Sequence, residues 1–265
     1  MASAFLDADR IRAASFVRHV EIHDTLGSTN LRAAELARET EIELPALVVA
    51  RSQTAGRGRG QHTWWSADGA LTFSLLLDTA TFRIDARSWP QLSLAVAVAV
   101  CDALAEELGD ARLGLGIKWP NDVMLDGGKL GGILIESPGG IAPAKGRLVI
   151  GIGINVNNSW HSAPREAGGN GIALCDVARR AHDLQNVLTN VLNSMRERIA
   201  QLAANAPELP AAWQQLSWLT EQRAEVHAGR DWIDGICLGI DADGSLLVEN
   251  VFGTHRVQSG SVRVL

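Results

Sequence analysis

The sequence predicts an α+β body followed by a small all-β module near its C-terminus. Three observations predict this. Short apolar runs, separated by glycine, proline and Asn-Asp signals, recur between residues 44 and 156. Two longer segments, 92–108 and 183–202, have helical length and spacing. From about Thr220 the helical spacing stops, and short β-like runs alternate with turn residues.

The elements follow in order. Ser28-Thr29-Asn30 are plausible caps for the helix formers of residues 31–38. Residues 44–50 read as a buried strand running into Gly56-Arg57-Gly58-Arg59-Gly60, and residues 71–77 as the strand returning from that loop. Residues 92–108 form a helix so apolar at its start that it belongs in the core. Residues 117–136 hold a strand, a Pro-Asn-Asp break and a hairpin turning at Asp126-Gly127-Gly128. Residues 148–156 are a further strand. In 183–202 the apolar residues Leu184, Val187, Leu188, Val191, Leu192, Met195, Ile199 and Leu202 keep helical spacing behind a capping Asp183. Pro207 and Pro210 interrupt the chain afterwards. Runs at 224–226, 232–240, 245–249 and 254–257, with an Asp243-Gly244 turn, read as a partly open barrel.

Bulk composition narrows the function. A net charge of −6 argues against a dedicated DNA-binding or polybasic membrane surface, so the loop arginines suit a small anionic ligand. The 3 cysteines have no C-x-x-C spacing, and the 7 histidines form no metal motif, which fits reduced thiols in the cytoplasm and no built-in metal. Residues 1–16 lack the apolar stretch of a secretory signal, and the longest apolar run, 92–101, is too short to span a bilayer.

Three constellations carry chemistry. In Gln53-Thr-Ala-Gly-Arg-Gly-Arg-Gly60, glycines let the backbone approach a ligand, and Arg57 and Arg59 would share one side of an extended segment. The alternative is a mobile surface loop. Trp64, just beyond, offers a flat face for a purine. In the second, Lys118-Trp-Pro-Asn-Asp122 precedes Lys129-Leu-Gly-Gly-Ile-Leu-Ile-Glu136, where a lysine could hold a carboxylate against a phosphate beside close-packed backbone. Read blandly, these are a turn and a hairpin tip. The third, Gly151-Ile-Gly-Ile-Asn155-Val-Asn157-Asn158, is either a strand ending in polar loop or a ligand-facing edge. Trp89, Trp160, Trp213, Trp218 and Trp232 read as core or half-buried packing, and His62 as exposed loop.

Taken in order, these motifs and Ser28-Thr29-Asn30 resemble the biotin protein ligase family, strongly over residues 20–160 and loosely beyond. The resemblance implies a catalytic domain over 1–215, with a central mixed or antiparallel sheet of class II aminoacyl-tRNA synthetase type and flanking helices. It also implies an SH3-like β module over 220–265. Activation of biotin by ATP to biotinyl-5′-AMP is implied, with Mg²⁺ brought by ATP, then transfer to a lysine of a carboxylase's biotin carboxyl carrier domain. Ser28, Thr29, Asn30 and Gln53 fall where the family contacts biotin's ring system and ureido group, and Gly131, Gly132 and Ile133 where it lines the biotin pocket. Arg57, Gly58 and Arg59 fall in the loop closing over biotin and phosphate, and Trp64 on the adenine packing position. Asn121 and Asn155 fall on the nucleotide side. Asp122 matches a position beside the ureido group, with a role in orienting groups or deprotonating the amine. Lys129 matches the lysine between carboxylate and α-phosphate. Many members carry another Gly-Arg pair before the tryptophan; here Gln61-His62 stand there, which bears on adenylate retention.

The family's repressors carry a DNA-binding domain of some 60 residues ahead of the first motif, which here begins at Ser28, so no operator binding is expected. A homodimer through a sheet edge is compatible with the pattern. The rival readings are a lipoate or octanoate ligase or transferase of related fold, and a catalytically dead biotin- or nucleotide-binding protein.

Overall fold

The computed structural model describes residues 5–109, 114–139, 146–164 and 167–265. A seven-stranded mixed sheet is built from β1 (His19–Leu26), β2 (Ala46–Gln53), β3 (Leu71–Asp78), β4 (Gly116–Lys118), β5 (Asp122–Leu125), β6 (Gly128–Glu136) and β7 (Arg147–Ile154). Its order is β1-β2-β3-β7-β6-β5-β4, with β1 and β2 parallel and the other neighbours antiparallel.

Both faces of the sheet are covered, which explains why its central strands read as continuous apolar runs. Successive side chains alternate between the faces. Leu47, Val49, Leu75, Leu77, Leu148 and Ile150 join the main core with α3 (Trp89–Leu108) and α5 (Leu184–Ala203). Ala46, Val48, Leu76 and Val149 face the other way, under Ala33 and Leu36 of α2 (Thr29–Leu36). Asp183 caps α5, accepting from the Gln185 and Asn186 amides at 2.8 and 3.2 Å.

Helix α2 differs from the sequence expectation in an informative way. It begins at Thr29, not Leu31, and Ser28 at its N-cap makes no side-chain cap bond. Gln53 at the end of β2 caps it from outside, its Oε1 accepting from the Thr29 amide at 2.7 Å. Ser28, Thr29 and Asn30 are all nearly fully buried.

Elements absent from the sequence reading are α1 (Ala8–Ala14), β1, α4 (Leu174–Ala178) and α6 (Glu208–Gln215). Pro210 lies in the first turn of α6, where a missing N–H costs nothing. The C-terminal region forms an antiparallel sheet of β8 (Arg223–Ala228), β9 (Asp231–Ile240), β10 (Leu246–Asn250), β11 (Gly253–Val257) and β12 (Ser261–Val264), in the order β11-β10-β9-β8-β12. The last strand was not anticipated.

This second sheet is clamped to the first. Trp119 Nε1 donates to Gly244 O at 3.0 Å, and Trp213 Nε1 to Asp241 O at 3.0 Å, so two indoles grip one turn. Val226, Cys237, Ile240 and Leu246 join the same apolar cluster as α3. Trp232 corrects the expectation of buried tryptophans: it is 68% exposed and lies against the His227 ring. Among the described residues no helix is long and apolar enough to cross a membrane.

Candidate active site

A cleft of about 620 Å³ opens on the α2 face of the large sheet. The alternation that buries Val149 and Leu76 under α2 brings Gly151, Gly153, Thr72 and Ser74 to the same face further along. Here the sheet offers hydrogen atoms and hydroxyls in place of apolar bulk. A Cβ on Gly151 would sit 1.9 Å from Asn30 Oδ1, and one on Gly153 2.4 Å from Trp64 Cε2. Glycine at these positions makes room for the Asn30 amide and the Trp64 indole. This is the physical content of the Gly-Ile-Gly motif.

The floor is a continuous polar chain. Thr29 Oγ1 donates to Gln53 Oε1 at 3.1 Å, Ser74 Oγ lies 2.8 Å from Thr29 Oγ1, and Ser74 donates to Asn30 Oδ1 at 2.6 Å. Asn30 Nδ2 donates to Glu136 Oε2 at 2.8 Å. A buried polar group without a partner costs about 1–3 kcal/mol, so such a chain is rigid only while every member is satisfied.

The glycine-arginine segment is folded back on itself, not extended as the sequence reading had it. Gly58 N donates to His62 O at 2.8 Å and Trp64 N to Gly56 O at 2.9 Å, while Arg57 and Thr63 form a bridge. Arg57, at the base, pairs with Glu136 at 3.0 Å. Arg59, near the tip, has no ion-pair partner among the described residues. His62 is exposed, as read.

Across the cleft, Lys129 Nζ lies 2.7 Å from Asp122 Oδ1. Asn121 anchors the turn before β5, donating to Ile133 O at 2.7 Å. Arg57, Arg59, Lys118 and Lys129 thus line the cleft against the single carboxylate of Asp122. Such a site attracts anions and lowers the repulsion between two of them.

The structure brings together Ser28, Thr29, Asn30, Gln53, Arg57, Gly58, Arg59, Trp64, Asn121, Asp122, Lys129, Gly132 and Ile133 at this cleft. It does not bring Gly131 or Asn155 to the wall. Gly131 has the opposite facing from Gly132, and a Cβ there would meet Gly153 O at 2.8 Å. Asn155 is 1% exposed and spent on structure: Nδ2 donates to Ile172 O at 3.1 Å, and Oδ1 accepts from Asn158 at 2.9 Å.

Five contributors escaped the sequence reading as site residues. Ser74 and Lys118 line or floor the cleft, Glu136 stands behind Arg57, and His227 with Ser261 closes one side from the second sheet. Ser74 had a local signal, being a hydroxyl inside the otherwise apolar run of β3. His227 had none.

Residues 24–155 match the model of the biotin/lipoate A/B protein ligase family. The chain is 34% identical over 251 residues to the bifunctional ligase/repressor BirA of Bacillus subtilis, covering 93% of this chain and 74% of that protein. It is 32% identical over 255 residues to a biotin--[acetyl-CoA-carboxylase] ligase of Mycobacterium tuberculosis, covering 95% and 91%. Its fold matches the biotin protein ligase from Aquifex aeolicus in complex with biotin and ATP at a TM-score of 0.78 and 26% identity, over 94% of this chain and 99% of that one. With this ordered set of motifs on this fold, the chain belongs to the biotin protein ligase family.

Proposed function

We propose that the protein activates biotin with ATP and transfers it to a lysine of a biotin carboxyl carrier domain. The observation that carries this reading is the cation-lined cleft in which Lys129 faces the Arg57–Arg59 hairpin over a glycine-floored sheet. A carboxylate and a triphosphate repel each other, and this arrangement offsets that repulsion where they must meet.

A biotin carboxylate oxygen attacks the α-phosphorus of ATP, the α–β phosphoanhydride bond breaks, and pyrophosphate leaves. Lys129 exchanges Asp122 for the carboxylate and α-phosphate oxygens, and Arg57 and Arg59 take the remaining charge. The carrier amine then attacks the acyl carbon and AMP departs with the bonding pair. Asp122, released from Lys129, is placed to orient that amine or accept its proton. Ser28, Thr29, Asn30, Gln53, Gly132 and Ile133 are assigned to biotin, and Trp64 and Asn121 to the nucleotide. Gly131 and Asn155 support the site from behind. The cleft's carboxylate, Asp122, is taken by Lys129, and Glu136 behind the hairpin by Arg57, so Mg²⁺ is assigned to the ATP substrate and not to a protein site.

In this reading, residues 1–215 act as a catalytic unit of class II aminoacyl-tRNA synthetase type and 220–265 as an SH3-like module. The mixed sheet and the five-stranded second sheet support it. The test is incubation with biotin, MgATP and an apo carrier domain, followed by mass measurement of the carrier. Gain of one biotinyl group is expected; gain of a lipoyl or octanoyl group with those acids, and none with biotin, overturns the assignment.

A further inference from the structure

Glu136, the last residue of β6, holds bonds that the two chemical steps do not use. Its Oε1 lies 3.0 Å from Arg57 Nη2, and its Oε2 accepts from Arg57 Nη1 at 3.2 Å. The same Oε2 accepts from Asn30 Nδ2 at 2.8 Å. One carboxylate therefore joins the hairpin arginine to the polar floor.

The direction of these bonds matters. An ionised carboxylate only accepts, and the Ser74 hydroxyl, completely buried, donates to Asn30 Oδ1 at 2.6 Å. Reversing the Asn30 amide would set Oδ1 against the carboxylate and Nδ2 against Ser74. Glu136 thus fixes which end of the amide faces Ser74. It also offers the Arg57 fork a paired-oxygen partner of the kind a ligand phosphate or carboxylate would replace.

We propose that Glu136 is a positioning residue coupling the biotin pocket to the hairpin above it. It fixes the amide of Asn30 and parks Arg57 until ligand oxygens take the guanidinium over. The ligand's identity rests on the functional reading above; the Arg57–Glu136–Asn30 coupling does not.

The test uses the full chain with Glu136→Gln, which keeps the shape and removes the charge. In the unliganded protein, trypsin cleavage after Arg57 is expected to rise roughly threefold to fivefold, the scale of a half-exposed ion pair, with cleavage after Arg223 unchanged. Biotin affinity by calorimetry is expected to fall about tenfold through weakening of the charge-assisted bond to buried Asn30, with kcat at saturating biotin and ATP within about twofold. A general loss of structure would lower kcat and affinity together. Glu136→Asp, which retains the charge, is expected to show the same changes at smaller size and serves if the Gln variant does not fold. Unchanged cleavage after Arg57 overturns the parking, and unchanged biotin affinity overturns the link to Asn30. If the parent chain binds no biotin, the functional reading fails. Proteolysis of Asn30→Ala then still decides the coupling: faster cleavage after Arg57 supports it, and an unchanged rate overturns it.

Discussion

Asp122 Oδ1 and Lys129 Nζ lie 2.7 Å apart across the β5–β6 hairpin, so the cleft's central ammonium is held by a carboxylate. An incoming carboxylate–phosphate pair presents the same oxygens with more charge. Under the proposed function, Asp122 is a placeholder that keeps Lys129 aimed inward.

Lys129→Ala is expected to lower biotin-dependent exchange of pyrophosphate into ATP by roughly a hundredfold or more, the scale of one lost transition-state donor. Far-UV circular dichroism should match the parent. Exchange within about threefold of the parent would remove Lys129 from the first step.

Arg59→Gly should fail differently. Arg59 sits near the hairpin tip without an ion-pair partner among the described residues, so its loss leaves the cleft walls intact while weakening the cover. Adenylate formation should survive, and more free biotinyl-5′-AMP should escape to solution when no carrier is present. Escape no greater than in the parent would rule out a retaining role for the hairpin.

Gly153→Ala would place a methyl 2.4 Å from Trp64 Cε2, and the indole must move. Overpacking costs about 1–3 kcal/mol, so the KM for ATP should rise roughly tenfold. Biotin affinity should change by less than about twofold. Equal losses for both ligands would mean that Trp64 does not serve the nucleotide alone.

Stability should respond to acid through a pair outside the cleft lining. The Arg32 guanidinium, bonding Glu21 at 2.8 and 2.9 Å, with His23 adding a further bond, holds the Glu21 carboxyl down at about 2. A depressed carboxyl stabilises the fold above its unfolded pKa, near 4.5, and that contribution fades as pH falls towards about 2. Allowing for partial solvent screening, Glu21→Gln should cost about 1–2 kcal/mol at pH 7, with the difference vanishing near pH 2. Urea unfolding of both proteins across that range checks it; a difference independent of pH would assign the cost to packing.

The body of the fold was legible where burial was complete. β2, β3 and β7 are covered on both faces, so each is an apolar run with few interpretations, and the Asp126-Gly127 turn announced its hairpin. β1 was missed because it is an edge strand carrying His19, Glu21 and His23, and its parallel pairing with β2 leaves no local signature. β12 has only four residues, and its alternation becomes meaningful only beside β8.

In the site, the cations could be read because arginines between glycines and a lysine before paired glycines are unusual. Glu136 and Ser74 could not be assigned until the facing of their strands was known. The facing of Gly131, whose Cβ side meets Gly153 O and not the cleft, is likewise set by strand register, which the sequence pattern alone does not give. His227 and Ser261 come from another sheet altogether.

Gly151 and Gly153 also give β7 an unusual heredity. Any single-base change that alters a glycine codon's meaning adds at least a methyl group or ends translation, and the Asn30 amide and Trp64 indole already fill that space. Neither position has a harmless neighbour to drift through. Ile150, Ile152 and Ile154 between and beside them face the apolar core, where valine and leucine lie one base away and are cheap to accommodate. A survey of all single substitutions should therefore print the strand's two faces as alternating tolerance and impairment along five consecutive residues.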